Sequence, residues 1–281
     1  MTDVSESYRY CERIARTRAK NFYYSFVLLS AARRRAMCAM YAYMRYCDDL
    51  SDDESNTDRA ASIARWRAGL QQALSGGEPP PHPLWPAFID TVERFKIPHQ
   101  YFHEMIDGVS SDLEPRRLQT FPELYDYCYK VASVVGLTVI HIFGFKSPDA
   151  LLLAEKCGIA FQLTNILRDV KEDAGLNRVY LPAEDLARFH LPESDLALDR
   201  PSAAFRELMR FEAVRARQYY NESRPLLGMV DQKSRASLWA LIEIYSRLLD
   251  RIEAAGFDVL SQRVRLPAAQ KAGIVVRALF R

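Results

Sequence analysis

The sequence predicts an all-α fold, in which a helical bundle packs around a central apolar cavity. Three observations support this prediction. Apolar residues recur three and four positions apart along most of the 281-residue chain, no run alternates apolar and polar residues long enough to build a sheet, and only eleven glycines are present. Because 49% of the residues are hydrophobic, the chain can also bury a substantial core.

Nine helical runs follow from this spacing, and proline or paired glycine separates most of them. The predicted helices cover residues 8–20, 32–50, 58–74, 84–95, 98–111, 121–143, 149–171, 202–222 and 233–255. The stretch 76–83, rich in glycine and proline, is the best candidate for a linker, but it is short and an acidic cluster lies on either side of it. We therefore predict that residues 1–281 form a single domain.

Charge and cysteine content exclude several classes of protein. With 38 basic and 36 acidic side chains the net charge is +2, so general attraction to nucleic acid is not indicated and any anion site must be local. The five cysteines are odd in number and form no C-x-x-C pair. This argues against a disulfide framework or a zinc site and favours a reducing compartment.

The sequence predicts no membrane span. Residues 1–9 contain acids and no apolar segment, unlike a signal peptide, and the most apolar window, 131–145, is shorter than the ~20 residues needed to cross a bilayer. We therefore expect a cytoplasmic protein. The basic and apolar stretch 263–281 leaves two alternatives open: it lies on a membrane surface, or it forms a terminal helix that packs on the domain.

A first acidic cluster, residues 48–52 (Asp-Asp-Leu-Ser-Asp), ends a predicted helix. Residues three and four apart share a helix face, so Tyr41, Arg45, Asp48 and Asp52 form one polar stripe. Two carboxylates one turn apart repel each other unless a cation lies between them, and Mg²⁺ takes such oxygen ligands. Arg45 adds a planar donor for phosphate. The alternative is a solvated helix end whose acids simply face water.

A second polar stripe lies within residues 162–173. Asn165, Asp169 and Asp173 recur at intervals of four residues, and Gln162 lies one turn earlier on nearly the same face. The other faces of this helix are apolar, so the stripe indicates an internal wet cavity. The alternative is an ordinary amphipathic helix, although such a helix would usually carry lysine or glutamate at these positions.

Two such stripes suit the ionisation of a prenyl diphosphate. The charge of the leaving diphosphate must be neutralised, which metal ions bridging carboxylates to phosphate oxygens do as Lewis acids, with help from arginine and lysine. The carbocation must also be kept from water, which an apolar cavity between helices achieves. We expect Mg²⁺ as the cofactor, with Mn²⁺ as an alternative.

Long motifs around these stripes resemble the squalene and phytoene synthase family. The resemblance runs from about Tyr10 to Arg251 and rests on residues 20–26 (KNFYYSF), 41–45 (YAYMR), 48–52 (DDLSD), 127–136 (YCYKVASVVG), 162–173 and 177–182 (NRVYLP). It implies an all-α isoprenoid synthase fold. It also implies condensation of two identical prenyl diphosphates through a cyclopropylcarbinyl diphosphate.

The same resemblance implies roles for individual residues. Mg²⁺ would be bound by Asp48, Asp52, Asp169 and Asp173, with Asn165 assisting, and the diphosphates would be held by Lys20, Arg45, Arg168 and Arg178. Phe22 and Phe26 would line the pocket, with Gln162 and Asn165 as further substrate contacts. Tyr41 and Tyr127 would lie near the reacting carbons, where an aromatic face stabilises a cation. Tyr41, Arg45, Asp48, Tyr127 and Asp169 are thus the catalytic candidates, although a tyrosine here could instead be a core residue.

The family leaves the donor open between C15 and C20. Residues 131–137 resemble the form found in presqualene diphosphate synthases of hopanoid pathways, whereas many phytoene synthases carry glycine and threonine where Ser133 and Val134 stand. The chain also lacks the membrane tail of eukaryotic squalene synthases. We therefore expect two farnesyl diphosphates to give presqualene diphosphate, without a need for NADPH. The alternatives are a phytoene synthase that uses two geranylgeranyl diphosphates, and a dehydrosqualene or squalene synthase.

Two other classes of protein are rival interpretations. A head-to-tail prenyl elongating enzyme also uses two aspartate-rich helices, but the approach through Tyr41 and Arg45 and the segment 22–26 argue against it. A non-catalytic helical scaffold would not need both polar stripes. The expected partners are a prenyl diphosphate, no nucleic acid, and a peripheral contact with the inner membrane for product release. The expected assembly is a monomer or a homodimer.

Overall fold

A computed structural model describes residues 3–19, 22–52 and 57–280, except for the side chain of residue 52. Its α-helices are α1 (Val4–Arg18), α2 (Tyr23–Phe26), α3 (Ala31–Asp52), α4 (Arg59–Leu74), α5 (Trp85–Phe95), α6 (Gln100–Ser110), α7 (Phe121–Cys128), α8 (Val134–Phe143), α9 (Asp149–Gly175), α10 (Ala183–Arg188), α11 (Ala203–Ser223), α12 (Leu226–Met229), α13 (Gln232–Ala254) and α14 (Ala268–Ala278). Strand pairing within these described ranges is limited to two isolated bridges. The predicted all-α fold is therefore confirmed.

The predicted helices all form, with ends that shift by a few residues. Side-chain caps explain several starts: Asp58, Thr120 and Ser202 accept hydrogen bonds from backbone N–H groups three residues on, at the beginnings of α4, α7 and α11. The helices α2, α10 and α12 had no predicted counterpart because four to six residues are too few to show a helical period. The C-terminal stretch forms α14, a terminal helix that packs against α13 and α2.

The core consists of two hydrophobic clusters that share the helices α9 and α13, the latter giving Leu238 to the first cluster and residues from Ala240 to Ile252 to the second. The first cluster holds α1, α3 to α6 and α8, and the second holds α7, α11, α13 and α14. Helix α9 contributes Ala150, Ala154 and Cys157 to the first cluster and the stretch from Ile159 to Val170 to the second. A cavity lies where the clusters meet, so helices from both sides of the 76–83 loop form its wall.

A π-helical turn, Tyr129–Ser133, joins α7 to α8 in one continuous helical stretch. At this turn α9 comes unusually close: a Cβ added to Gly158 would lie 2.6 Å from the Ser133 Cα. Such turns insert one extra residue and are frequent at functional sites. Here the turn places Val131 and Ala132 on the cavity wall.

Two helical stretches, Phe121–Phe143 and Asp149–Gly175, are long and apolar enough to cross a bilayer by length and composition. The first of these stretches is longer than the 15-residue apolar window 131–145, so the expectation that no segment is long enough to span a bilayer does not hold by length and composition. More than half of each stretch's most apolar window, 56% and 61%, is buried inside the protein. Buried core helices of a globular domain have the same properties.

All five cysteines are buried and carry free thiols. Burial raises the pKa of Cys11, Cys38, Cys47 and Cys157 to about 12, and it raises the pKa of Cys128 further. The thiols therefore stay protonated at neutral pH.

Candidate active site

The cavity has a volume of about 220 Å³ and is lined mainly by apolar side chains. Its apolar wall consists of Phe22, Phe26, Met37, Met40, Met44, Met105, Val131, Ala132, Val135, Gly136, Val139, Ile140, Ala154, Cys157, Gly158, Phe161, Leu226, Leu238 and Leu241. Its polar lining comes from the C-terminal part of the lining stretch of α3 and of α9, and Tyr245 of α13 also lines the cavity. We call the polar residues of α3 and α9 the polar end; they are Tyr41, Arg45, Asp48, Gln162 and Asn165.

The contribution of α3 to the polar end is an arginine between a tyrosine and an aspartate. Arg45 forms an ion pair with Asp49 one turn on, but its Nε atom is buried and has no hydrogen-bond partner. Burial raises the pKa of Tyr41 to about 12, against the opposing charge of Arg45. The phenol is therefore neutral at physiological pH, and Asp48 lies two turns further along the same wall.

The contribution of α9 is a pair of amides. Asn165 Nδ2 donates a hydrogen bond to Gln162 Oε1 at 3.3 Å, and Asn165 Oδ1 is buried without a hydrogen-bond partner. Buried polar atoms in proteins are nearly always bonded. The unsatisfied donor Arg45 Nε and the unsatisfied acceptor Asn165 Oδ1 at one end of the apolar cavity can be satisfied by a ligand that brings an acceptor to the first and a donor or a cation to the second.

Asp169 lies beyond the cavity lining and is neutralised by two arginines. Arg168 Nε donates to Asp169 Oδ1 at 2.7 Å, and Arg263 Nη2 lies 2.9 Å from the same oxygen. Arg263 also pairs with Glu172 at 2.9 Å. The segment after α13 thus reaches the second polar stripe at Asp169, and one guanidinium group bridges that carboxylate to the neighbouring carboxylate of Glu172.

A buried polar cluster adjoins the stripe at Asp173; we call it the Asp112 cluster, and it holds Asp112, Tyr127, Asp173, Arg178 and Tyr180. Asp112 accepts hydrogen bonds from the hydroxyls of Tyr127 and Tyr180, each at 3.0 Å, and the two rings stack with centroids 4.6 Å apart. Arg178 donates to the Asp112 carbonyl at 3.1 Å. Burial, followed by the charge of Asp169, raises the pKa of Asp173 to about 7. A bound cation would relieve this repulsion.

The donor set fits Mg²⁺, which prefers carboxylate and amide oxygens. Among the described side chains, which do not include that of Asp52, no three from His, Cys, Asp or Glu lie close enough together to hold a metal ion. On the α9 side the Asp169 carboxylate is bonded to two arginines. The metal assignment to Asp48, Asp52, Asn165, Asp169 and Asp173 stays a prediction.

The structure brings together part of the predicted site. The residues that line the cavity as predicted are Phe22, Phe26, Tyr41, Arg45, Asp48, Gln162 and Asn165. Those that lie outside its lining are Tyr127, Arg168, Asp169, Asp173 and Arg178. Lys20 and the side chain of Asp52 are outside the described residues.

Tyr127 was expected near the reacting carbons, but the structure does not bring it to the cavity. It precedes the π-helical turn and belongs to the second hydrophobic cluster, where its hydroxyl is bonded to Asp112. Burial raises its pKa well above the ordinary value. In this arrangement Tyr127 holds the Asp112 cluster together.

Three residues of the site were missed by sequence reasoning. Asp112 lies in a short 3-10 turn and has no acidic residue one helical turn away with which to form a polar stripe. Arg263 lies beyond the last predicted helix. Tyr245 lines the cavity and stacks on Phe161 with ring centroids 4.4 Å apart. It could have been found, because it lies one and two helical turns after Leu241 and Leu238 on the inward face of α13.

The residues on which the C15 expectation rested line the cavity only in part. Val131, Ala132, Val135 and Gly136 line it, whereas Ser133 and Val134 are buried and lie outside its lining. Ser133 Oγ donates to the Glu155 carbonyl of α9 at 2.8 Å. Positions 133 and 134 therefore belong to the packing between helices.

Comparison with known proteins places this geometry in a family. A sequence model described as squalene/phytoene synthase matches residues 15–270. The chain belongs to the squalene/phytoene synthase family. It is 36% identical to the phytoene synthase of Arthrospira platensis, over 95% of this chain and 90% of that protein, and 35% identical to the 15-cis-phytoene synthase of Synechococcus elongatus, over 96% and 92%.

Solved structures of this family have the same fold. A dehydrosqualene synthase in complex with a ligand superposes with a TM-score of 0.91 at 28% identity, covering 99% of this chain and 96% of that one. The squalene synthase HpnC from Alicyclobacillus acidocaldarius gives a TM-score of 0.84 at 25% identity, with coverages of 91% and 96%. The predicted family and the isoprenoid synthase fold are confirmed. As a member of the squalene/phytoene synthase family, the chain is a prenyltransferase that condenses prenyl diphosphates head to head.

Proposed function

We propose that the enzyme condenses two farnesyl diphosphates head to head to presqualene diphosphate, in a reaction that depends on Mg²⁺ and does not need NADPH. The observation that carries the proposal is the polar end of the apolar cavity, where a buried arginine donor and a buried amide acceptor both lack partners. These are the groups that a metal-bound diphosphate would satisfy.

The residues of the polar end divide the work by their chemistry. Arg45 offers Nε to a diphosphate oxygen, while Asn165 and Asp48 offer oxygens to the cation that accompanies it. Mg²⁺, when bound, neutralises the leaving diphosphate as a Lewis acid. The aromatic faces of Phe22, Tyr41 and Tyr245 lie around the same end of the cavity and can stabilise positive charge on carbon.

The bond changes balance without a redox partner. The C–O bond of one donor breaks, and the diphosphate leaves with the electron pair. The double bond of the second donor attacks the cation, and loss of one proton closes the cyclopropane ring. The methionine, leucine and valine side chains of the wall exclude water from these steps.

The segment 131–137 supports the C15 donor. It resembles the form found in presqualene diphosphate synthases, and four of its residues, Val131, Ala132, Val135 and Gly136, line the cavity.

A second candidate, phytoene synthesis from two geranylgeranyl diphosphates, is favoured by the names of the curated relatives. Those at 35–36% identity over nearly the whole chain are called phytoene synthases. The dehydrosqualene synthase structure, named for a product of two C15 donors, favours the first candidate instead. Both candidates share the site and the cyclopropylcarbinyl intermediate.

The test is incubation of the purified enzyme with C15 and C20 diphosphates in competition, with and without Mg²⁺ and NADPH, followed by product identification. Presqualene diphosphate formed with Mg²⁺ alone is the expected result. Conversion of the C20 donor alone would overturn the C15 assignment in favour of the second candidate. No condensation of either donor at saturating Mg²⁺ would overturn both.

A further inference from the structure

The outward face of α14 is apolar and exposed to solvent. Ile274 and Ala278 anchor the helix in the second hydrophobic cluster, while Val276, Leu279 and Phe280 remain 55%, 67% and 86% exposed. The large apolar residues at the end of this helix thus have no protein surface to cover. Adjacent exposed apolar side chains of this size mark interaction sites, whereas single ones do not.

The surrounding segment carries charge of one sign. Residues 259–281 contain five basic side chains, the last being Arg281, and no acidic one. Since the whole chain has a net charge of +2, the other 258 residues carry a net −3. Arg265 and Arg277 are exposed, and the Lys271 ammonium lies 5.7 Å from the centre of the Tyr24 ring. Arg263 is engaged with Asp169 and Glu172, so its charge faces the site.

The apolar face lies next to the wall of the cavity. Helix α14 packs against α2 and α13. Phe26 of α2 and Leu241 of α13 line the cavity, and Val27, at the end of α2, is 45% exposed. One layer of helices therefore separates the exposed apolar face from the apolar interior.

We propose that α14 docks the enzyme on an anionic phospholipid bilayer, with Val276, Leu279 and Phe280 entering the boundary between headgroups and acyl chains. Apolar residues flanked by arginine and lysine, with no acid among them, match the chemistry of such a surface. The charge contrast with the rest of the chain orients this end towards it. The docking itself does not depend on the proposed function. Under that function, contact with a bilayer would bring the enzyme to the surface in which its amphiphilic donors and product are dissolved.

Vesicle flotation of the full chain tests the proposal. The docking variant is Leu279→Ser with Phe280→Ser, and the matched control is Leu152→Ser with Val214→Ser, because those residues are 56% and 64% exposed elsewhere on the surface. We expect the wild type and the control to bind vesicles that are about one third phosphatidylglycerol in phosphatidylcholine, and the docking variant to bind about tenfold or more weakly. Arg277→Glu should weaken binding, whereas Arg251→Glu, on the exposed end of α13, should not.

Three outcomes would overturn the proposal. The first is equal binding by the docking variant and its control, and the second is equal binding to vesicles of phosphatidylcholine alone. The third is absence of vesicle binding together with a concentration-dependent dimer that the docking variant loses, which would assign the face to a second copy of the chain. Product formation from detergent-dispersed donor is measured in parallel, so that failure of docking and failure of the proposed function are distinguished.

Discussion

Gly158→Ala tests whether the close approach of α9 to the π-helical turn shapes the cavity. The added Cβ would lie 2.6 Å from Ser133 Cα, 2.8 Å from the Ala132 oxygen and 2.9 Å from Ser133 N. Ordinary carbon contacts are about 3.5–4.0 Å, so the two helices must separate by about 1 Å. All three atoms are backbone, and no side-chain rotation can relieve the contact.

The expected cost follows from this overlap. Overpacking of a tight core costs about 1–3 kcal/mol, and replacing glycine by alanine inside a helix returns about 0.5–1 kcal/mol. We therefore expect a net loss of about 1–2 kcal/mol, which lowers Tm by about 2–8 °C in a chain of this size. Because Ala132 lines the cavity, the same shift should lower kcat/KM.

The assay is thermal unfolding followed by far-UV circular dichroism, together with product formation. Gly175→Ala is the matched control, since Gly175 belongs to the same helix and a Cβ there meets nothing within 4 Å. Its Tm should be unchanged or higher. If Gly158→Ala unfolds at the wild-type temperature with wild-type kcat/KM, the close approach does not constrain the cavity and the reasoning is refuted.

Three further predictions concern the site and the core. Asp48→Asn and Asp169→Asn should each lower kcat by about 100-fold or more with an unchanged helical signal, because neutral amides compensate bound cations poorly; near-normal kcat at saturating Mg²⁺ would contradict the metal assignment. Arg45→Lys should weaken the binding of inorganic pyrophosphate with Mg²⁺, measured by calorimetry, because the planar fork is lost; unchanged affinity would remove Arg45 from the site. Burial raises the pKa of Glu212 from 4.5 to about 8, so the folded state keeps a proton that the unfolded state releases, and stability should fall as pH rises across this range. Glu212→Gln should flatten that fall in Tm, and an unchanged slope would show that Glu212 does not cause it.

Local spacing was sufficient to predict the parts of the site that lie on one helix. The stripes of α3 and α9 follow from residues three and four apart, and Tyr41, Arg45, Asp48, Gln162 and Asn165 do share one end of the cavity. A helical period is a local property of the sequence, so it can be read without knowing the contacts that the helix makes with the rest of the chain.

Contacts between distant segments could not be predicted in this way. The pairing of Arg263 with Asp169 joins residues far apart in sequence, and nothing in either segment specifies the other. The π-helical turn adds a residue within 129–133, which rotates the faces before and after it relative to each other. The expectation that Tyr127 lies near the reacting carbons came from the family resemblance, and in the structure its hydroxyl is bonded to Asp112 while its side chain lies outside the cavity lining.

The buried cysteines make the protein a convenient host for site-specific probes. Every thiol of the chain is buried, and burial raises its pKa, so maleimide reagents should react slowly with the native protein. Cys157, which lines the cavity, is replaced by alanine in the labelling variant. A single cysteine placed at Leu279 would then be labelled alone. An environment-sensitive dye at that position would report contact with lipid in real time, without a background signal from dye attached to buried cysteines.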